Sequence, residues 1–250
     1  MSGHSKWSTI KRKKSKVDQE RGKLFTKLIR ELTVAARTGG GDPESNPRLR
    51  TAIENAKANN MPLANIDRAI KRGTGELPGV TYEEQTLEGY GPQGVAILIE
   101  TLTDNKKRTT SEIRHILSRH GGHLGEVGCV SWMFALKGSI IVDKGNVNED
   151  DLFAIALDAG AEDVRDEGTY YEVVTPPSEL DKVKRALKDN GIEFSNAELT
   201  RSPQTLVPLD GKQAEQVLKL MDALEDHDDV QKVYANFDVP DEILEKMGRE

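Results

Sequence analysis

The spacing of apolar residues changes near residue 75, and this change restricts the fold more than any other feature of the chain. Before it, Phe25, Leu28 and Leu32 follow the three- and four-residue spacing of an amphipathic helix. After the glycine- and proline-bearing stretch 73–79, apolar residues fall in short runs typical of strands, which alternate with further helices. Only 36% of the residues are hydrophobic, which favours several small cores over one large core. The sequence therefore predicts an α+β multidomain protein.

The first 75 residues are predicted to form a three-helix domain with a mobile N-terminal arm. A helix is expected over residues 17–37, and the glycines at 39–41 end it. Asn46-Pro47 supplies an N-cap and a first-turn proline for a second helix. Pro62 starts a third helix, which Gly73 ends.

A β-α-β-β-α-β order in the second part of the chain predicts a ferredoxin-like domain over residues 137–202. Strands are also expected at 83–88, 95–101, 130–134, 205–209 and 230–237, with helices at 110–120 and 211–224. The β-α-β of residues 95–134, joined to the strand, helix and strand at 205–237, completes a second β-α-β-β-α-β unit, and the first unit is inserted into its central loop. The predicted domains are 1–75, 80–136 plus 203–240, and 137–202, with a tail at 241–250.

Charge is distributed unevenly along the chain, although the formal net charge is only −7. Residues 1–75 hold 17 Lys and Arg against 7 Asp and Glu, whereas residues 76–250 hold 18 against 35. A polyanion such as a nucleic acid is therefore expected to bind the N-terminal part and to avoid the acidic remainder.

The predicted arm, residues 1 to about 15, has no acidic residue before Asp18. Repulsion between its cations favours a segment that becomes ordered only on an anionic partner, with a solvated tail as the alternative. Trp7 is expected either to stack on an exposed base or to pack against the first helix. Six arm cations would give a log–log salt slope of about −5 on duplex DNA. The predicted nucleic-acid-binding residues here are Lys6, Trp7, Lys11, Arg12, Lys13, Lys14 and Lys16.

Further cations are expected on helix faces and in one loop. The loop at 106–108 precedes a predicted helix, whose unpaired N–H groups and dipole favour a bound anion. A solvated turn is the alternative there, because exposed Lys and Arg are common on any helix. The predicted nucleic-acid-binding residues of this set are Lys23, Lys27, Arg30, Arg48, Arg50, Lys71, Arg72, Lys106, Lys107 and Arg108.

The remaining motifs do not support an enzyme, a metal site or a cofactor. Three histidines and one cysteine cluster at 115–129, but their spacing suits neither a zinc site nor a catalytic Cys/His pair. The glycine-rich stretches match no nucleotide-binding motif. The acidic run at 225–229 lacks calcium-loop spacing, which leaves a solvated helix end or an intrachain partner for the basic domain. We therefore predict no catalytic residue, metal or small-molecule cofactor.

Other features indicate the setting of the protein. Cys129 is the only cysteine, so no intrachain disulfide is possible, and a reducing, cytoplasmic setting is expected. The longest aliphatic stretch, about residues 95–99, is far shorter than the ~20 residues of a spanning helix. The first residues lack the apolar run of a signal peptide. We therefore expect no membrane partner.

Several motifs, spread over nearly the whole chain, occur together in one order. They are Gly3-His4-Ser5-Lys6-Trp7, Arg21-Gly22-Lys23-Leu24-Phe25-Thr26-Lys27, Asn46-Pro47-Arg48-Leu49-Arg50, Asn60-Met61-Pro62, Arg68-Ala69-Ile70-Lys71-Arg72-Gly73, Glu88-Gly89-Tyr90-Gly91-Pro92 and Asp228-Asp229-Val230-Gln231. This set closely resembles the YebC/PmpR family. Lys107 departs from the family pattern, in which many members have asparagine, and it adds charge without breaking the motif.

The resemblance implies a three-domain, non-enzymatic regulator without catalytic or cofactor residues. Bacterial members are described as probable transcriptional regulators that bind DNA. A mitochondrial relative is a translational activator, and bacterial relatives are linked to relief of ribosome stalling. We therefore expect a nucleic-acid-binding regulator of gene expression that binds duplex DNA. The alternatives are a ribosome-associated translation factor that binds ribosomal RNA and a regulator that binds a small ligand between its ferredoxin-like domains.

Overall fold

The computed structural model describes Trp7, residues 18–240 and Ile243. It contains helices followed by two four-stranded sheets and one small two-stranded sheet. The helices are α1 (Asp18–Gly39), α2 (Pro47–Ala58), α3 (Leu63–Gly73), α4 (Lys106–Arg119), α5 (Glu149–Asp158), α6 (Leu180–Asp189) and α7 (Gly211–Glu225). The strands are β1 (Glu83–Tyr90), β2 (Ala96–Thr103), β3 (His123–Leu124), β4 (Phe134–Asp143), β5 (Asp163–Asp166), β6 (Tyr170–Thr175), β7 (Asn196–Pro203), β8 (Val207–Pro208), β9 (Val230–Ala235) and β10 (Phe237–Asp238).

Helices α1, α2 and α3 form the unit called the helical domain below. Asn46 caps α2, because its side-chain oxygen accepts a hydrogen bond from the Leu49 N–H at 3.1 Å. Helix α3 ends at Gly73, where a Cβ would lie 2.4 Å from the Thr33 carbonyl oxygen. Glycine therefore lets α3 approach α1 closely as well as ending the helix. The three predicted helices are present.

The first sheet has the strand order β3-β1-β2-β9 and is antiparallel throughout. Helices α4 and α7 contribute to the core on one face, where Ile97, Leu117 and Leu218 are fully buried. Trp7 belongs to the same core, and the partly buried Ile243 packs against it. This core therefore includes a residue from the predicted N-terminal arm.

Two of the strands predicted for the first sheet are not part of it. β1 lies beside β2, and the short β8, which falls within the predicted 205–209, pairs with β10 in the small two-stranded sheet. Residues Ser131–Met133 form a short 3-10 helix instead of a strand. A short turn joins β1 to β2 and makes their pairing local, whereas Pro208 lacks the N–H group that a central strand would need. The α+β class, with helices followed by sheet-containing domains, is confirmed.

The second sheet has the strand order β5-β6-β4-β7, with α5 and α6 contributing to its core. Its elements follow one another as β-α-β-β-α-β, and Ile140, Leu152 and Val173 are fully buried in its core. The segment that forms it lies between β3 and β9 in the chain, so it interrupts the first sheet. None of the helices in the described ranges is both long and apolar enough to cross a membrane.

Candidate nucleic-acid interface

The N-terminal half of α1 contacts the end of α7 and the turn before β9. The end of α7 and this turn carry the acidic corner, defined here as Glu225, Asp226, Asp228 and Asp229. Lys23 Nζ lies 3.5 Å from Asp226 Oδ2, and Lys27 Nζ donates a hydrogen bond to the Glu225 carbonyl oxygen at 2.6 Å. The acidic run is therefore an intrachain partner of the basic helices, which was one of the two interpretations that the sequence left open.

Asp229 is the centre of this contact, and its side chain is only 3% exposed. Its Oδ1 accepts a hydrogen bond from Arg30 Nη1 at 2.6 Å. Its Oδ2 accepts hydrogen bonds from Arg108 Nη2 at 2.7 Å, Thr109 Oγ1 at 2.6 Å and Thr103 Oγ1 at 3.1 Å. Burial alone would raise the pKa of Asp229, but these hydrogen bonds and the charge of Arg30 outweigh burial and lower the pKa to about 2.

Arg30 also contacts groups other than the Asp229 carboxylate. Its Nη1 donates to the carbonyl oxygens of Asp228 at 2.5 Å and Leu102 at 3.3 Å. Its guanidinium lies over the Tyr82 ring, 5.3 Å from the centroid. Nearby, Arg37 donates a hydrogen bond to the Tyr82 carbonyl oxygen. The inner face of α1 is thus joined to the first sheet by polar groups.

Arg48 and the loop before α4 are also engaged within the chain. Arg48 lies 2.7 Å from Glu31 and 2.6 Å from Glu84, and these carboxylates raise the pKa of its guanidinium. Lys106 Nζ lies 2.6 Å from a Glu83 carboxylate oxygen. In the described part of the chain, Lys107 is exposed and forms no ion pair.

Asn105 occupies the N-terminus of α4, because its side chain accepts a hydrogen bond from the Arg108 N–H at 3.1 Å. Arg108 itself pairs with Asp104 and Asp229 at 2.9 Å and 2.7 Å. An anion at this helix end would compete with these in-chain oxygens. Of the three loop cations predicted to bind nucleic acid, only Lys107 is therefore without such a partner in the described ranges.

The outer faces of α2 and α3 carry cations that form no ion pair with another described residue. We call these cations the outer basic surface. Arg68 and Arg72 lie one turn apart on α3 and are exposed, as is Lys71 between them. An open groove of about 740 Å³ between the helices is lined by apolar, acidic and basic side chains, including Lys71. No member of the surface forms an ion pair with another described residue. The surface consists of Arg50, Lys57, Arg68, Lys71 and Arg72, of which Arg50 is half-buried and donates a hydrogen bond to the Pro43 carbonyl oxygen at 3.3 Å.

The six predicted arm cations, from Lys6 to Lys16, lie outside the described residues. Trp7 is described and is 5% exposed in the core of the first sheet. It therefore packs internally, although against the first sheet rather than α1, and is not available for stacking in this conformation. The second tryptophan, Trp132, is 69% exposed, and its indole N–H donates to the Cys129 carbonyl oxygen at 3.1 Å.

Glu112, His227 and Asp229 bring potential metal-ligand atoms within 4.8 Å of one another. Two guanidinium groups, from Arg30 and Arg108, already pair with Asp229. His227 Nε2 lies 2.9 Å from Glu112 Oε2, and its Nδ1 accepts the Asp229 N–H. Neighbouring positive charge opposes a bound cation, so this cluster belongs to the ion-pair network.

Glu88 has a structural role that the sequence reasoning missed. Its carboxylate accepts hydrogen bonds from the N–H groups of Gly128, Val130 and Ser131 at 2.8, 2.7 and 2.8 Å. Burial would raise the pKa of Glu88, but these three bonds lower it. The carboxylate therefore orders the loop that carries Trp132. The sequence feature that could have indicated this role is the position of Glu88, an acidic residue, inside a predicted strand.

Comparison with known proteins places this architecture in a family. The model of the TACO1/YebC protein N-terminal domain matches residues 5–76, and that of the TACO1/YebC second and third domain matches residues 82–237. A relative from Syntrophus aciditrophicus is 59% identical over 249 residues, covering 99% of this chain and 100% of the relative. A relative from Dictyoglomus turgidum is 58% identical over 249 residues, with the same coverage.

Both relatives are named probable transcriptional regulatory protein. The crystal structure of a conserved hypothetical protein from Aquifex aeolicus has a TM-score of 0.83 and 51% sequence identity, covering 90% of this chain and 93% of that chain. The two family models together span the helical domain and both four-stranded sheets. The chain therefore belongs to the TACO1/YebC family.

Proposed function

We propose that this protein is a non-enzymatic regulator of gene expression that binds nucleic acid through the outer basic surface. One observation carries the proposal: after the in-chain ion pairs are assigned, cations without an ion pair in the described ranges remain on adjacent faces of α2 and α3, and all of them except Arg50 are exposed. The two sheet-containing parts are acidic and repel phosphate. The names of the relatives, probable transcriptional regulatory protein, support the same function.

Contacts of this kind bind phosphate without reading sequence. Five phosphate contacts would give a log–log salt slope of about −4.5 on duplex DNA. The six arm cations are proposed to add to this surface when the arm engages the same polyanion. Duplex DNA is the proposed partner, and the acidic parts orient the protein on it by repulsion.

Folded RNA, including ribosomal RNA, is a second candidate partner, and Trp132 is the observation that favours it. The indole N–H is already bonded within the loop, so the exposed part of the ring is apolar. Such a ring stacks on unpaired bases, which folded RNA offers and an intact duplex does not. Under this candidate, the protein acts as a ribosome-associated translation factor.

The test compares affinities for a 25-base-pair duplex and for ribosomes at one ionic strength. Lys71→Gln/Arg72→Gln should weaken binding and reduce the salt slope by about 2. The matched control is Lys212→Gln/Lys219→Gln, which removes two exposed cations from α7 and should leave binding unchanged. Equal losses in both double variants would contradict the assignment to the outer basic surface. Retention on ribosomes with weak, unselective duplex binding would favour the second candidate, and no binding to either would refute the function.

A further inference from the structure

The acidic corner contacts the cations of α1 through oxygen atoms, and a phosphate backbone would offer oxygen acceptors to the same cations. Lys23, Lys27 and Arg30 are separated by four and three residues, so they share one face and span about 10 Å of the helix. Each contacts an oxygen atom of the acidic corner, and Asp226 and Asp229 supply carboxylates. Carboxylate and phosphate oxygens are alternative acceptors for the same ammonium and guanidinium donors.

We propose that this contact is an electrostatic latch that nucleic acid opens. Phosphates compete with the acidic corner for the α1 cations, and their binding separates the helical domain from the first sheet. This inference rests on the proposed function, because the nucleic acid bound at the outer basic surface supplies the competing phosphates. The closed latch lowers the affinity for nucleic acid by withholding three cations from it.

The contact is polar, and its outer ion pair is weak, whereas the Arg30–Asp229 pair is buried. The helical domain and the first sheet have separate hydrophobic cores, and no hydrophobic cluster in the described residues spans both. Lys23 and Asp226 are 41% and 66% exposed, and an ion pair this exposed contributes little and weakens with salt. Polar contacts of this type are characteristic of domains that move relative to one another.

When the latch opens, Asp229 keeps the three donors to its Oδ2, whereas Oδ1 loses the donor described for it, Arg30, and can bind water instead. Arg30 comes from the helical domain, whereas the other three donors to Asp229 come from β2 and α4, beside the same sheet. Opening therefore does not leave a buried carboxylate without partners, which would otherwise be strongly unfavourable. The first sheet can hold the same arrangement of Asp229 Oδ2 in both states.

Arg30 can use more of its hydrogen-bond donors with a phosphate than it uses in the closed latch. In the closed contact its Nη1 makes the described bonds to Asp229 and two carbonyl oxygens. Its Nε is buried and has no hydrogen-bond partner among the described residues. A phosphate can accept hydrogen bonds from Nε and Nη together in a forked geometry. The unused donor thus favours a phosphate over the present partners.

The first test weakens the latch from its acidic side, which does not contact nucleic acid. Asp226→Lys should raise the affinity for a 25-base-pair duplex by about fivefold or more, the lower end of ordinary coupling between sites. Asp189→Lys is the matched control, because Asp189 is an exposed acid at a helix end without an ion pair in the described ranges. The gain should disappear when Lys27→Gln/Arg30→Gln is added. An equal gain in the control would overturn the latch.

The second test holds the latch closed in the full-length chain. In a Cys129→Ser background, Lys23→Cys/Asp226→Cys is joined by a short bismaleimide and compared with the same protein capped by a monofunctional maleimide. The crosslinked form should bind the duplex at least about fivefold more weakly than the capped form. Equal affinities, with the Lys71 and Arg72 dependence retained, would overturn the latch and leave the proposed function standing. No duplex or ribosome binding by any form would overturn both.

Discussion

Replacing Asp229 by asparagine measures the buried ion-pair network, because the substitution keeps the shape of the side chain and removes its charge. The pKa of Asp229 is about 2 against an ordinary value of 3.8. This difference corresponds to about 2.5 kcal/mol of stability at neutral pH. The asparagine side chain would also place an N–H donor against the arginine and threonine donors that now bind the carboxylate. We therefore expect the free energy of unfolding to fall by about 2–4 kcal/mol in total at pH 7.

The pH dependence follows from the direction of the pKa difference. A carboxyl group with a lowered folded-state pKa stabilises the protein above its unfolded pKa, and this contribution disappears as the pH falls through the folded value. For Asp229 the window runs from about pH 4 to about pH 2. The charge-dependent part of the difference between the native chain and Asp229→Asn should therefore fall to about half at pH 3.

Urea unfolding provides the assay. Trp132→Phe leaves Trp7 as the only tryptophan, and its burial in the core of the first sheet makes its fluorescence a probe of that unit. Asp226→Asn is the control, because its side chain is 66% exposed, and we expect a change below about 0.5 kcal/mol. Equal midpoints for the two variants at pH 7, or a difference that does not shrink at pH 3, would refute this account of Asp229.

Three further predictions concern local structure. Glu88→Gln should cost about 1–3 kcal/mol and speed hydrogen exchange at the three backbone N–H groups that its carboxylate holds; unchanged exchange would contradict that role. Gly73→Ala should lower the melting temperature of the helical domain, since its Cβ would lie 2.4 Å from a carbonyl oxygen of α1, whereas Gly22→Ala, with open space around it, should not. Acrylamide should quench emission strongly in Trp7→Phe and weakly in Trp132→Phe, and the reverse order would show that the two environments are misassigned.

Short-range patterns predicted most of the elements. The Asn46-Pro47 signal correctly places the start of α2, and Gly73 ends α3 as expected. The β-α-β-β-α-β order of the second sheet also follows from alternating local patterns. These features depend on neighbouring residues, which is why sequence spacing alone identifies them.

Strand partners were harder to predict than strands. The sequence predicted a strand at β1. Its pairing with β2 in a hairpin could not be predicted, because other strands could also have paired with the same edge of β2. Helix α4 starts at Lys106 rather than at the predicted residue 110, because Asn105 caps it, and Thr109 lies inside the helix, where it binds Asp229. Such choices depend on which residues meet in space.

The sequence by itself determined the helical and strand-rich parts, the family resemblance and the separation of basic from acidic regions. Only the tertiary structure decided that α1 cations bind the acidic corner and that Trp7 is buried. Arg30 and Asp229 are 199 residues apart in sequence and 2.6 Å apart in space. Helix capping and hydrophobic spacing act over a few residues, whereas ion pairing depends on distance in space and on burial. A count of charges therefore located the basic domain but could not show which of its cations remain available.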